Sequence, residues 1–230
     1  MMIPVNASTI CCIAQYTAGN RRKGMLNQTR GIDPPKYHAT FSTIEVQRLS
    51  EISRPALMAH FLALSTEDRR LRFGASLSAE RIEAYIAEID FGCDAAFGVF
   101  DDELALVGVA HLAFLDDTAE LGISVLPDHR GRGAGRALLA RAAEHARNRF
   151  VPRLFMHCLA ENAAIMHIAR TSGMEIVVEA GDADAHLALS PASPASVTGE
   201  YLTDRLALFD YALKAHVATL KGINSALANA

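Results

Sequence analysis

Residues Asp128–Ala142, DHRGRGAGRALLARA, put Gly131, Gly133 and Gly135 at every second position and set Arg130, Arg132 and Arg136 around them. Backbone N–H groups in a loop that opens a helix converge on one point, and the helix dipole adds partial positive charge there. Glycine keeps that approach clear of Cβ atoms. The chemistry this suits is capture of a phosphate-like anion. Two nucleotide patterns fail on residues. G-x-G-x-x-G counted from Gly131 needs a glycine where Arg136 stands, and no Lys-Ser or Lys-Thr follows to complete G-x-x-x-x-G-K-[ST]. What remains is Arg130-Gly131-Arg132-Gly133-Ala134-Gly135, an anion cradle whose natural guest is a pyrophosphate.

This run matches the R/Q-x-x-G-x-G/A signature of the GNAT superfamily of N-acetyltransferases, and a second stretch agrees. Glu161–Met174, ENAAIMHIARTSGM, is similar to the GNAT segment N-x-x-A-x-x-x-Y-x-x-x-G-F, with Asn162, Gly173 and Met174 in register. The resemblance covers roughly Phe41 to Leu189. It implies one α/β domain with a mixed, mostly antiparallel twisted sheet flanked by helices. It implies acyl-CoA-dependent N-acyl transfer, acetyl from acetyl-CoA to a primary amine by direct attack. The cofactor contacts it implies are Arg130, Gly131, Arg132, Gly133, Ala134, Gly135 and Arg136 on the pyrophosphate. Backbone N–H groups of Ile123, Ser124 and Val125 would hold the pantetheine and polarise the thioester, and Asn162 would touch the same arm. Asn162 is also a natural helix N-cap.

One departure stands out. Ala169 occupies the family's tyrosine position, the usual acid for the departing thiolate. Water, His167 or Cys158 are the substitutes on offer, although His167 reads equally as a plain helix residue and Cys158 as a small buried one. His111, inside an apolar strand, reads as a hydrogen-bonded core histidine. The missing tyrosine also motivates a second reading, an acyl-CoA-binding or sensing module with little or no turnover. An alkyl ammonium with pKa near ~10.4 must lose a proton before it attacks. Glu120 is the candidate base: in Ala119–Val125 alternation puts Leu121, Ile123 and Val125 on one face and Glu120, Gly122 and Ser124 on the other. The position resembles a glutamate that some GNAT members use, and it fits an ordinary strand glutamate equally well. Ser65–Gly74, STEDRRLRFG, resembles a segment of bacterial GNAT domains, some of them protein-lysine acetyltransferases. Its arginines suit either salt bridges or an acidic substrate, and the acceptor is open between a small molecule and a protein lysine.

These residues need elements to hold them. Strands are predicted at Phe41–Leu49, Asp94–Phe100, Leu104–Leu115, Ala119–Leu126, Arg153–Leu159, Met174–Glu179 and Ala185–Leu189. Helices are predicted at Ser53–Leu64, after Ser78 with Ile82, Tyr85, Ile86 and Ile89 on one side, from about Gly133 to Arg149, and at Glu161–Ser172. Leu71–Gly74 reads as a short link. Residues 1–38 read as a flexible leader, 39–190 as the domain, 191–198 as a linker and 199–230 as a helical extension. In that extension Leu202, Leu206, Phe209, Leu213, Val217 and Leu220 make an apolar stripe that either packs on the domain or pairs with another subunit, so a homodimer is one expectation.

The bulk composition narrows the partners. The 230 residues are 50% hydrophobic and 21% charged, with a formal net charge of -4. That balance suits a globular fold and gives no basic face for nucleic acid. The longest apolar run, Leu104–Leu115, begins after an Asp-Asp turn and is too short to span a bilayer, so no membrane partner is expected. The basic cluster Arg21-Arg22-Lys23 follows the apolar patch Ile10–Ala14, the wrong order for a secretory signal, and a cytoplasmic protein is expected. Cysteines at 11, 12, 93 and 158 and nine scattered histidines form no metal-ligand spacing, which predicts free thiols and no metal.

Overall fold

The chain enters the fold along a short edge strand, β1 (Gln47–Arg48), and a single 3-10 turn, Glu51–Ser53, leads into α1 (Arg54–Ala63). The structure, a computed structural model, describes residues 44–228. The leader 1–38 and the first residues of the strand predicted at Phe41–Leu49 lie outside them. Pro55 falls in the first turn of α1, where its missing N–H leaves no hydrogen bond unmade.

The link expected at Leu71–Gly74 is instead the end of a helix, α2 (Thr66–Phe73). Its cap explains the difference. The Ser65 hydroxyl accepts the Asp68 N–H at 3.0 Å, and Gly74 closes the helix at φ 73°. Glu67 and Asp68 in the first turn and Arg70 and Arg72 in the last complement the helix dipole. Helix α3 (Ala79–Glu88) follows Ser78 and buries Ile82, Tyr85 and Ile86. Arg54 ties it to α1 by donating to the carbonyls of Ile86 and Ile89.

Three strands then meander through tight turns: β2 (Ala95–Phe100), β3 (Leu106–Leu115) and β4 (Thr118–Val125). Helix α4 (Ala134–Asn148) crosses to β5 (Arg153–Leu159), and α5 (Ala163–Thr171) leads to the hairpin β6 (Glu175–Glu179) and β7 (Asp182–Ala188). The last strand begins three residues before the predicted Ala185, because Ala180 and Gly181, both at positive φ, make the turn tight enough to pair Glu179 with Asp182. Helix α6 (Pro194–Ala228) starts inside the stretch expected to be a linker, with Pro194 as its first residue.

The seven strands lie in the order β1-β2-β3-β4-β5-β7-β6, and every neighbouring pair is antiparallel except β4 and β5. This is a mixed, mostly antiparallel open sheet flanked by helices. One face carries α4, whose Leu138, Leu139, Ala142 and Ala146 pack against Phe97, Leu112, Leu121 and Leu154. The other carries α1 and α3, with Leu57, Phe61, Ile82 and Ile86 against Ala96 and Val109.

The parallel pair is where the sheet opens. Its ladder runs only through Thr118–Arg153, Ala119–Leu154 and Glu120–Phe155, yet β4 continues to Val125 and β5 to Leu159. Beyond Glu120 the strands part. Backbone groups that a closed sheet would pair with each other are left facing a wedge.

Candidate active site

The wedge opens onto a cleft of about 810 Å³. Its walls come from the end of α1, from α2, from the end of β4 and the loop into α4, and from one side of α5 along its length. Leu71, Arg72, Ile123 and Ile165 line both the cleft and the narrow wedge behind it, where Gly122, His157 and Cys158 stand.

Gly131 and Gly133 sit at φ 73° and 93°, a region costly for any other residue, and Gly133 caps α4. Gly135 has a different reason. A Cβ there would come within 2.7 Å of Ile168 Cδ1, so this glycine lets α5 approach α4. The first intrahelical bond of α4 runs from the Ala137 N–H to the Gly133 carbonyl. The N–H groups of Gly131–Arg136 have no acceptor among the described residues. Of these residues Gly131, Gly133, Ala134, Gly135 and Arg136 line the cleft, at the positive end of a 15-residue helix.

The arginines of this loop divide. Arg136 lines the cleft with Gly131, Gly133, Ala134 and Gly135. Arg132 is exposed and lies outside the lining residues. Arg130 lines the cleft too, but it braces the loop, donating to the Val125 carbonyl at 2.9 Å and to Asp68 at 2.7 Å. Burial raises the Asp68 pKa, while the bonds from Arg130 and Ser65 more than reverse this and hold the carboxyl below its ordinary value.

Ile123, Ser124 and Val125 reach the cleft at the end of β4. Asn162 lines it as well and caps α5, its Oδ1 accepting the Ile165 N–H at 3.2 Å and its amide donating to the Leu71 carbonyl at 3.3 Å. Ala169 is fully buried in the core. Glu120 occupies the last paired rung before the strands part, half-buried on the strand face of Gly122 and Ser124, and lines neither the cleft nor the wedge. His167 is exposed at the cleft wall. Cys158 is buried, and burial pushes its thiol up to about 11. His111 is a bonded core histidine, its Nδ1 at 2.7 Å from the Tyr85 hydroxyl and its Nε2 at 3.3 Å from Asp94.

Two groups at the site escape sequence reasoning. The first is Arg72. Of the three arginines in the 65–74 segment, Arg69 donates to the backbone carbonyls of Leu62, Leu64 and Leu77, and Arg70 pairs with Glu67 and Glu161. Arg72 instead lays its guanidinium over Gly122, so close that a Cβ on Gly122 would lie 2.2 Å from it. It stacks on Phe73, reaches the Tyr85 hydroxyl at 3.4 Å, and keeps its buried Nε without a partner among the described residues. The second is His60, buried with Nδ1 2.9 Å from the Leu106 carbonyl and Nε2 2.8 Å from the Ser124 hydroxyl. Burial, aided by the Arg72 charge, lowers its pKa to about 4. The ring is therefore neutral near pH 7: Nδ1 donates to Leu106, and Nε2 accepts from Ser124. A signal for Arg72 existed in the segment resemblance, but nothing in the spacing separated it from its neighbours.

The family model for the acetyltransferase (GNAT) family matches residues 59–174, half of the chain. The chain belongs to the GNAT acetyltransferase family. Among curated proteins it is similar to streptothricin acetyltransferase of Streptomyces lavendulae, 33% identical over 78 residues, which span 34% of this chain and 41% of that protein. Among solved structures, the GNAT domain of S. lividans PAT aligns over 63% of this chain and 89% of its own, with a TM-score of 0.56 and 21% identity. The spermidine N-acetyltransferase of Vibrio cholerae, in complex with CoA and spermine, aligns over 64% of this chain and 96% of its own, with a TM-score of 0.51 and 19% identity. At these identities the structural likeness establishes the GNAT fold. Among the described residues no cluster of three or more His, Cys, Asp or Glu side chains could hold a metal, and no helix is long and apolar enough to cross a membrane.

Proposed function

We propose that this GNAT protein transfers an acetyl group from acetyl-CoA to a primary amine by direct attack on the thioester. One observation carries the reading: an anion site of unpaired N–H groups at the α4 N-terminus runs continuously into the wedge between β4 and β5. A ligand with a pyrophosphate at one end and a thin amide-bearing arm at the other fits that path. The loop Gly131–Arg136 would take the pyrophosphate, with Arg136 adding charge and Arg130 fixing the loop. Where β4 runs past its last rung with β5, the backbone groups of Ile123–Val125 that β3 and Arg130 leave unpaired would bond the pantetheine, and Asn162 would hold the α5 side of the slot.

In this reading the thioester lies beside Gly122, under Arg72. The amine nitrogen forms its bond to the acetyl carbon, the C–S bond breaks, and the thiolate leaves. Arg72, a cation beside developing negative charge in a partly desolvated slot, stabilises the oxyanion and the thiolate. That is the role the absent tyrosine leaves open. Glu120, at the closed end of the wedge, takes the proton from the amine through a water.

The experiment is release of free thiol from acetyl-CoA over a panel of small amines and protein lysines. Turnover on at least one amine is expected. In Gly133→Glu a carboxylate replaces the space meant for the pyrophosphate, and acetyl-CoA binding by calorimetry should vanish; retained affinity would remove the cradle assignment. Tight binding with no turnover on any amine would favour the sensing module motivated by Ala169.

A further inference from the structure

Helix α6 lies outside the family match at 59–174, and its faces divide sharply. Glu200, Asp204, Ala207, Tyr211 and Lys214 form the inner face. Glu200 and Asp204 bond Arg141 on α4, Ala207 is buried, Tyr211 stacks on Phe100 and Lys214 pairs with Glu45. The opposite face is apolar and open, with Leu206 68% and Phe209 69% exposed, and Leu202, Leu213 and Leu220 exposed beside them.

The period of that open face is informative. Leu206, Leu213, Leu220 and Leu227 recur every seventh residue, and Leu202, Phe209, His216 and Ile223 recur at seven between them. A lone amphipathic helix covering a core follows 3.6 residues per turn. A strict seven-residue repeat of this kind is the seam of a left-handed coiled coil, with the leucines at one core position and the second set at the other. In that register the inner-face residues fall at the positions farthest from the seam. One side of α6 is therefore held by its own domain while the other is built to meet a helix of the same repeat.

We infer that α6 pairs with α6 of a second copy as a parallel two-stranded coiled coil. The flanking positions favour a second copy. In a parallel pair Arg205 on one helix stands beside Asp210 on the other, five residues on, and symmetry makes this contact twice. The remaining flanking positions between 205 and 219 are Ala212, Val217 and Thr219, which bring no like charges together. The polar His216 in the seam favours the in-register alignment, where it meets its own copy, over a shift of one heptad, where it would face Phe209 or Ile223.

The test uses the full chain, by sedimentation velocity and light scattering from about 1 to 100 µM. A mass of twice 24.8 kDa is expected. The double variant Leu206→Glu with Leu213→Glu should sediment as a monomer, with dimer affinity lowered at least a hundred-fold and an unchanged circular dichroism spectrum. Leu206→Cys should form a disulfide-linked dimer on mild oxidation, since equivalent seam residues face each other in a parallel pair, whereas Leu208→Cys, off the seam, should not. A wild-type monomer at 100 µM would overturn the inference, whether residues 1–43 or another protein covers the stripe. A dimer that survives the double variant would place the interface elsewhere, and a dimer without the Leu206→Cys link would overturn the parallel arrangement.

Discussion

Single atoms account for much of the site. Gly122 is the clearest case, because what its missing side chain admits is a guanidinium. Gly122→Ala would put a methyl 2.2 Å from Arg72, and the long arginine, not the strand, would move. If Arg72 stabilises the departing thiolate, this one carbon should lower kcat by about ten-fold or more, since displacements near 1 Å are costly in a preorganised site. Thermal stability should barely change; an unaltered kcat would take Arg72 out of the chemistry. The glycines of the loop also carry separate jobs that the sequence presented as one. Gly131 and Gly133 answer to backbone φ, and Gly135 to the approach of Ile168. Spacing alone marked all three, because each is a place where a Cβ is forbidden, but only packing distinguishes the reasons.

At the scale of elements, the join between α4 and α6 depends on a buried polar network. Arg141, 5% exposed, bonds Glu200 at 2.9 Å and Asp204 at 2.5 Å, while His145 and Asn148 also reach the Glu200 carboxylate. Burial raises the Glu200 pKa, yet bonds from His145, Asn148 and Arg141 bring it down to about 2. Glu200→Ala would leave Arg141 buried with Asp204 as its remaining hydrogen-bonded carboxylate. Breaking such a pair costs about 3 kcal/mol or more, so faster amide exchange and earlier proteolysis of α6 are expected, with the sheet protected as before. Equal protection of α6 in the variant would show that apolar contacts hold the helix instead. The sequence announced α6 through its outward stripe and concealed the inner face, whose charged residues look like a solvated surface. The helix α2 was concealed in a similar way, since its eight residues bury no side chain completely and its evidence is the two caps, Ser65 and Gly74.

For the whole molecule, acid stability follows from two depressed pKa values with different windows. His60 titrates ordinarily at 6.5 and at about 4 when folded, so the unfolded chain binds its proton first. Its contribution is complete above pH 6.5 and declines as pH falls toward 4, by roughly 3 kcal/mol across the window. Glu200, with an ordinary value of 4.5 and a folded one of about 2, contributes fully above pH 4.5 and loses that contribution toward pH 2. Denaturation midpoints should therefore hold steady above pH 6.5 and fall below it. His60→Gln, whose amide can still bridge Leu106 and Ser124, should flatten the profile between pH 6.5 and 4.5 and leave the lower slope. A slope that persists in that variant would assign it to other groups. The sequence by itself determined the order of strands and helices apart from α2, the glycine-rich loop that opens α4 and Asn162 as a helix cap, because periodicity, glycine spacing and capping are local properties of the chain. Tertiary structure alone decided that β4 and β5 part after Glu120, that Arg72 and not its neighbours reaches the wedge, and that Ala169 is sealed in the core. Each of those depends on segments far apart in sequence meeting across the sheet, where the available space, and not local preference, determines what a side chain can touch.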